Sequence, residues 1–345
     1  MTARLSATEP EGRKLGRREA GTLLLGAFAA ATVGGRAAPA RSFAFAGAVP
    51  GKVAAVTPES ASSLFAEAMA EIAPEQGFQS RIALGDSIVR LVAEGVVEPA
   101  KLLALDEHRR RGAPLPPDDV LSLVRGRTSA RAQAGMPGEL RAALSWRSPK
   151  PIRLTRENVG YYLQLLWPIG LANALESNRD SPLNGDLLFR FASTAGWTLG
   201  REENGGAYFN RFRVVELTPE QEALAVRVAQ STYRPCCDNS TFFQDCNHGS
   251  ALFGLLQLGA AQGLGEDELY REALAFNAFW FPDNYAQTAL YFRLFEGRRW
   301  ADVVPEVVMS YPFSALRPWQ DNVHARLARV PNLLPQRRGW ANCGL

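Results

Sequence analysis

Apolar residues recur at helical spacing through most of the chain. Thr57 and Pro58 begin the first such segment, because threonine can cap a helix and proline suits its first position. Apolar positions follow at intervals of about four over 64–72 and again over 82–92, which indicates helices. Alternation of apolar and polar residues, the sign of a strand, is scarce and best developed at 211–217. The pattern predicts a mostly α fold with long irregular loops and little or no sheet.

The segment 249–263 is apolar and dense in glycine and alanine. Small side chains at this density let another helix approach closely, so we expect a central buried helix here. The segment is too short to span a bilayer and contains Gln257 and Gln262. A second helix should begin at Thr218, where Gln221 completes a capping box, and end just before a group of cysteines.

Breaks in the pattern divide the chain into four segments. Residues 1–46 have the features of an export signal peptide, and residues 47–125 form a small helical module. Residues 126–150 carry Gly, Pro, Ser and Ala with scattered arginines, which is typical of a linker. Residues 151–345 form the main α-helical domain, with the cysteines.

The N-terminal segment places basic residues, including Arg17 and Arg18, ahead of a short and weakly apolar stretch at 22–33. Small residues then offer cleavage positions at 38–40 and 44–46. The Arg17-Arg18 pair in this setting resembles a twin-arginine export signal. The resemblance implies a periplasmic or extracellular protein that meets the twin-arginine translocation machinery and keeps no membrane span after cleavage.

The charge of the chain belongs largely to that signal. The chain has a formal net charge of +3, and residues 1–46 hold seven basic and three acidic residues. The remainder has 31 basic and 32 acidic residues, so we expect no nucleic-acid partner, whose binding needs a concentrated positive face. The hydrophobic fraction of 46% is that of a globular protein with a core.

Three of the four cysteines fall within eleven residues, at Cys236, Cys237 and Cys246, and His248 follows two positions later. Thiolate and imidazole are the usual protein ligands of zinc, copper, iron and iron–sulfur clusters. Cys343 is available as a further sulfur. We therefore expect a transition-metal or redox site here, at the start of the central helix.

The cap of that helix decides whether Cys246 and His248 can bind one ion. If Asp245 is the cap, both residues are helical, lie two positions apart and point to roughly opposite sides. If Asn247 is the cap, Cys246 is extended and the two can converge. In both cases the helix N-terminus favours the Cys246 thiolate. The nearest polar residues are expected either to orient the ligands or to form turns and caps: Asp238, Asn239, Asp245 and Asn247.

Disulfides are the main alternative at the cysteines. An even number of cysteines in an exported protein is typical of structural cross-links. Adjacent cysteines form a disulfide with difficulty, so Cys246 would pair with Cys236 or Cys237, and Cys343 would take the other.

A second candidate site is the glycine-rich segment 196–212. It combines aromatic, charged and amide side chains that suit a sugar or another polar ligand, and one glutamate could serve in acid–base chemistry. Its main residues are Trp197, Arg201, Glu202, Glu203 and Tyr208.

Three functions therefore compete. The first is an exported cell-envelope protein with a Cys/His metal-binding or redox site. The second is a disulfide-stapled hydrolase or a protein that binds carbohydrate or another small ligand through the 196–212 loop. The third is a helical envelope scaffold without catalytic activity. The sequence assigns no reaction, substrate or oligomeric state, and it contains no G-x-S-x-G or H-E-x-x-H motif.

Overall fold

A computed structural model describes residues 56–103, 137–192 and 199–334. The predicted export signal lies outside these ranges, as do Cys343 and Trp197 of the two candidate sites. Most of the described residues are helical, which confirms the mostly α fold.

The helices are α1 Pro58–Ile72, α2 Ser87–Ala93, α3 Gly138–Ala143, α4 Val159–Ala172, α5 Leu187–Ala192, α6 Pro219–Ser231, α7 Asn247–Ala261, α8 Glu266–Trp280, α9 Pro282–Glu296, α10 Pro305–Met309, α11 Tyr311–Ser314, α12 Leu316–Trp319 and α13 Ala325–Leu327. Residues 99–103 are also helical. Short 3₁₀ segments occur at Glu176–Asp180, Gly205–Tyr208, Thr241–Phe243 and Trp300–Asp302, and a π-helical turn occurs at Gln320–His324.

Two helix starts form as the sequence predicts. The Thr57 hydroxyl accepts a hydrogen bond from the backbone N–H of Ser60 at 3.2 Å, with Pro58 in the first helical position. At α6, Thr218 and Gln221 form the reciprocal capping box, with bonds of 3.3 and 2.9 Å. Each pair satisfies N–H groups that have no partner inside the helix.

The sheet is small and includes residues for which the sequence pattern predicts a helix. In the described residues it consists of two antiparallel strands, β1 Phe78–Gly85 and β2 Ser148–Leu154. The helical prediction at Ile82 was wrong, because β1 has a mostly buried second half in which apolar residues are consecutive. The alternating pattern at 211–217 does not form a strand: Phe212 makes only an isolated bridge with Asn173.

The other edge of β1 is covered by side chains instead of a third strand. The Glu272 carboxylate of α8 accepts hydrogen bonds from the Ser80 hydroxyl at 2.6 Å and the Arg81 N–H at 2.8 Å. The Gln262 amide, just after α7, bonds the N–H and C=O of Ala83 at 2.9 and 2.8 Å, as a neighbouring strand would. Buried backbone groups need such partners, so the ends of α7 and α8 are tied to the sheet.

One hydrophobic core joins the described parts of segments 47–125 and 151–345. Buried residues of α1, β1 and α2 belong to the same cluster as those of α4 and α7. The end of the predicted linker, residues 148–150, lies in β2 and pairs with β1. The described residues therefore show no separate core for the small module.

The predicted central helix is α7, which is buried along almost its whole length and crosses α4 at two glycines. A Cβ atom on Gly170 would lie 1.8 Å from the Ser250 carbonyl oxygen, and one on Gly254 would lie 2.4 Å from that of Leu166. No side chain fits between the two backbones. In the described part of the chain, no helix has the length and apolarity needed to cross a bilayer.

The glycine crossing predicts a large cost for one added methyl group. Gly254→Ala should lower the free energy of unfolding by about 2–3 kcal/mol, because the overlap outweighs the ~1 kcal/mol gain in helix propensity. The matched control is Gly138→Ala, since Gly138 is exposed in α3 and a Cβ there meets nothing within 4 Å. Urea denaturation measures both variants, and equal stability of Gly254→Ala and the parent protein would refute the close crossing.

Candidate metal centre

The three clustered cysteines lie on a loop between α6 and α7 and at the first turn of α7. Cys246 itself caps α7, with extended backbone angles, and its sulfur accepts a hydrogen bond from the Gly249 N–H at 3.4 Å. Neither predicted cap, Asp245 or Asn247, is therefore correct. The cap places the Cys246 sulfur at the positive end of the helix.

The three sulfurs form a nearly equilateral triangle. The Cys236–Cys237 distance is 3.5 Å, and Cys246 lies 3.6 Å from each of them. A disulfide bond is about 2.05 Å long, so these are three free thiols. The expected disulfide between Cys246 and Cys236 or Cys237 is not supported, and no sulfur pair in the described residues is at bonding distance.

A buried arginine holds the site together. The Arg234 guanidinium is fully buried and donates from Nε to the Cys246 sulfur at 3.2 Å and from Nη1 to the Asn239 carbonyl at 2.8 Å. Its Nη2 forms an ion pair with the Asp245 carboxylate. One side chain thus fixes three separate points of the loop. A Cβ on Gly249 would lie 2.7 Å from Nη2, so glycine is required there to admit the guanidinium.

Asp245 and Asn239 complete this network. Asp245 accepts a second hydrogen bond from the Asn239 side-chain amide at 2.7 Å, and the Cys237 sulfur lies 3.7 Å from its other oxygen. Burial raises the pKa of Asp245, although the adjacent Arg234 acts in the opposite direction.

The other two predicted polar residues, Asp238 and Asn247, each accept a hydrogen bond from a backbone N–H group. Asp238 accepts hydrogen bonds from the backbone N–H and the Nε of Arg317, at 2.8 and 2.6 Å. The Asn247 side-chain oxygen accepts from the His248 N–H at 3.0 Å. Neither contact involves a sulfur.

His248 lies beside the triangle but not in it. Its ring packs against Phe281, with centroids 4.6 Å apart, and against Trp280 at 5.8 Å. In the described residues, no histidine, aspartate or glutamate ligand atom joins the group formed by the three sulfurs. The pKa of Cys246 is lowered mainly by its contacts with Cys236 and Cys237, and His248 makes a smaller contribution in the same direction.

The loop is also anchored from outside the site. The N–H of Tyr233 donates to the Met309 carbonyl at 2.9 Å, and its carbonyl accepts from the Asn277 side chain at 3.0 Å. The Leu316 N–H donates to the Cys237 carbonyl at 3.1 Å. These contacts connect α8, α10 and α12 to both sides of the Cys236-Cys237 pair.

The three thiols have unequal acidity. The pKa of Cys246 is well below that of an ordinary thiol, through hydrogen bonds from Cys236 and Cys237 and the charge of Arg234. Burial raises the pKa of Cys236. The hydrogen bond to Cys236 lowers the pKa of Cys237, but its contact with Cys246 and its burial outweigh this and raise it. Cys246 is therefore the most acidic of the three thiols.

The second predicted site is the loop at 196–212. Arg201, Glu202 and Glu203 are exposed, whereas Tyr208 is buried. The Tyr208 hydroxyl accepts from the Glu202 N–H at 2.6 Å and donates to the Gly95 carbonyl at 3.1 Å. These bonds attach the loop to the turn after α2, so the ring of Tyr208 is a structural element.

Arg234 is the main site residue that the sequence reasoning missed. The signal available in the sequence is its position two residues before a cysteine pair.

Comparisons of the chain with protein-family models, with curated proteins and with solved structures each found no match.

The unequal acidity predicts one thiolate at neutral pH. At pH 7 the metal-free, reduced protein should show thiolate ultraviolet absorbance that disappears as the pH falls through the lowered pKa of Cys246. Cys246→Ser should remove this step. Cys236→Ser is the control and should retain a thiolate, because Arg234 and Gly249 still contact Cys246. A step that survives in Cys246→Ser would contradict the assignment.

Proposed function

We propose that this is an exported cell-envelope protein whose three clustered thiols bind one thiophilic transition-metal ion, zinc or copper(I). The observation that supports it is the mutual sulfur spacing of 3.5–3.6 Å. Sulfurs that share one tetrahedral ion at a bond length of about 2.3 Å lie roughly 3.8 Å apart. Ion binding therefore needs only small movements of Cys236, Cys237 and Cys246.

The three sulfurs are close enough together to bind one ion at the same time. With sides of 3.5–3.6 Å, its centre is about 2.1 Å from each sulfur, which is the side divided by √3. A bond of about 2.3 Å then places the ion about 1 Å from the sulfur plane. All three bonds can form together.

The same spacing argues against an iron–sulfur cluster, which the sequence pattern left open. Cluster cysteines bind different iron atoms and point outward from the cluster. Their sulfurs are therefore farther apart than sulfurs that converge on one ion. Three sulfurs in mutual contact suit a mononuclear site.

The contacts of Cys246 also favour metal binding. Metals bind the thiolate, and the helix N-terminus, the Gly249 N–H and the Arg234 guanidinium all stabilise a negative charge on this sulfur. These contacts lower the free energy needed to ionise Cys246, the first ligand, before the ion binds. Binding must then release protons from Cys236 and Cys237.

A second candidate function is thiol redox chemistry. The observation that favours it is the position of the Cys246 sulfur 3.6 Å from each of two further thiols, with its pKa lowered, an arrangement that suits nucleophilic attack by Cys246. It requires no bound ion, so metal analysis separates the two functions.

Export rests on the resemblance of residues 1–46 to a twin-arginine signal. Expression of the full chain in a bacterium with this pathway should yield an envelope-located protein whose N-terminus lies close after residue 40 or 46. Replacement of Arg17 and Arg18 by lysine should retain it in the cytoplasm. An intact N-terminus on envelope-located protein would contradict cleavage.

Metal content tests the main proposal. The protein purified without chelators or reductant should contain one zinc or copper ion per chain, measured by elemental analysis. Each of the variants Cys236→Ser, Cys237→Ser and Cys246→Ser should lose it, because two sulfurs do not replace three.

Cys343→Ser is the matched control, since it removes a thiol by the same substitution outside the triangle. It should retain the ion. A metal-free parent protein that also fails to take up zinc or copper(I) would refute the proposal and leave the redox alternative.

A further inference from the structure

We propose that the ion is copper(I), bound by the three sulfurs alone and exchanged through an open fourth side, so that the protein is a copper carrier. This inference rests on the proposed metal-binding function and specifies its cargo. It follows from the donor set, the coordination number and the exposure of the triangle.

The donor set is entirely soft. The group of candidate ligand atoms in the described residues consists of the sulfurs of Cys236, Cys237 and Cys246, with no carboxylate or imidazole among them. Soft thiolate ligands select copper(I), zinc or iron–sulfur clusters over hard ions such as magnesium and calcium. Asp245, the nearest carboxylate, is already bound to Arg234 and Asn239.

The described residues supply three donors, which suffice for copper(I) and leave zinc one ligand short. Structural zinc sites are almost always four-coordinate, with four protein ligands. His248 is the nearest further nitrogen ligand along the chain, but its ring packs against Phe281 and Trp280, and neither ring nitrogen joins the group of three sulfurs. Planar coordination at about 2.3 Å requires sulfur separations of about 4.0 Å, so each pair must open by about 0.4 Å. Small rotations of the cysteine side chains provide this.

The local charges are compatible with a monovalent ion. The Arg234 Nε–H and the Gly249 N–H both donate to the Cys246 sulfur and withdraw part of its negative charge. The site does not depend on a dication to stabilise that ligand. The neighbouring Asp245 balances the charge of Arg234 itself.

The triangle is accessible to an exchange partner. Cys236, Cys237 and Cys246 are each partly exposed, whereas Arg234, Asp245 and His248 around them are buried. An incoming thiolate can approach the fourth side of the ion while the three protein sulfurs still hold it. Transfer then proceeds by ligand substitution, in which one new copper–sulfur bond forms as one old bond breaks, with no change of oxidation state.

The test is an anaerobic competition and transfer experiment on the reduced protein. Copper(I) and zinc are offered together in equimolar amounts, and one copper(I) per chain should bind. The copper-loaded protein is then mixed with increasing concentrations of the copper(I) chelator bathocuproine disulfonate. The transfer rate should rise with chelator concentration, because the chelator attacks the open side. A rate independent of chelator concentration would contradict the open site.

His248→Ala and Cys246→Ser separate a three-coordinate from a four-coordinate site. His248→Ala should change copper(I) affinity by less than about tenfold, the low end for a residue that only orients a ligand. Cys246→Ser should weaken it by far more, and circular dichroism should show that both variants fold. Loss of binding in His248→Ala to the same degree, or zinc retained against copper(I), would overturn the copper inference and leave metal binding intact. Failure to bind either ion would overturn the proposed function as well.

Discussion

A fully buried guanidinium is the constraint on which the site depends. Arg234 carries a positive charge into the protein interior, where an unpaired charge costs several kcal/mol. Its cost is offset by the Asp245 carboxylate, the Asn239 carbonyl and the Cys246 sulfur. These partners lie five to twelve residues away along the chain. The contacts that stabilise this one buried charge therefore also fix the conformation of the loop.

The rest of the fold places that loop against a rigid support. Helix α7 begins at the site with Cys246 as its cap, crosses α4 at Gly254 and ends near Gln262, whose amide bonds β1. A residue with a side chain at Gly249 would displace Arg234, and one at Gly254 would displace α4. Gly249 therefore leaves room for a guanidinium, and Gly254 leaves room for the backbone of a neighbouring helix.

The sequence predicted the elements whose causes are local. The caps at Thr57 and Thr218 and the buried helix α7 follow from short-range patterns, and all three form as expected. The strand β1 was missed because its partner β2 lies about 70 residues away and its remaining edge is completed by Glu272 and Gln262, which no local pattern shows.

The sequence indicated the cysteine cluster but not its geometry. Spacing alone left a disulfide, a metal and a redox site open, because the distance between Cys237 and Cys246 depends on how Arg234 folds the loop between them. It also restricted the helix cap to Asp245 or Asn247, whereas the structure has Cys246 between them as the cap. The Cys246 sulfur accepts the Gly249 N–H, which ties this thiol to the start of the helix.

X-ray absorption at the metal edge would show whether three preorganised sulfurs bind one ion, as we propose. The metal-loaded protein should have a first shell of three sulfurs at about 2.3 Å. It should have no second metal nearby. A shell dominated by nitrogen or oxygen, or a neighbouring metal atom of the kind found in a cluster, would contradict this proposal.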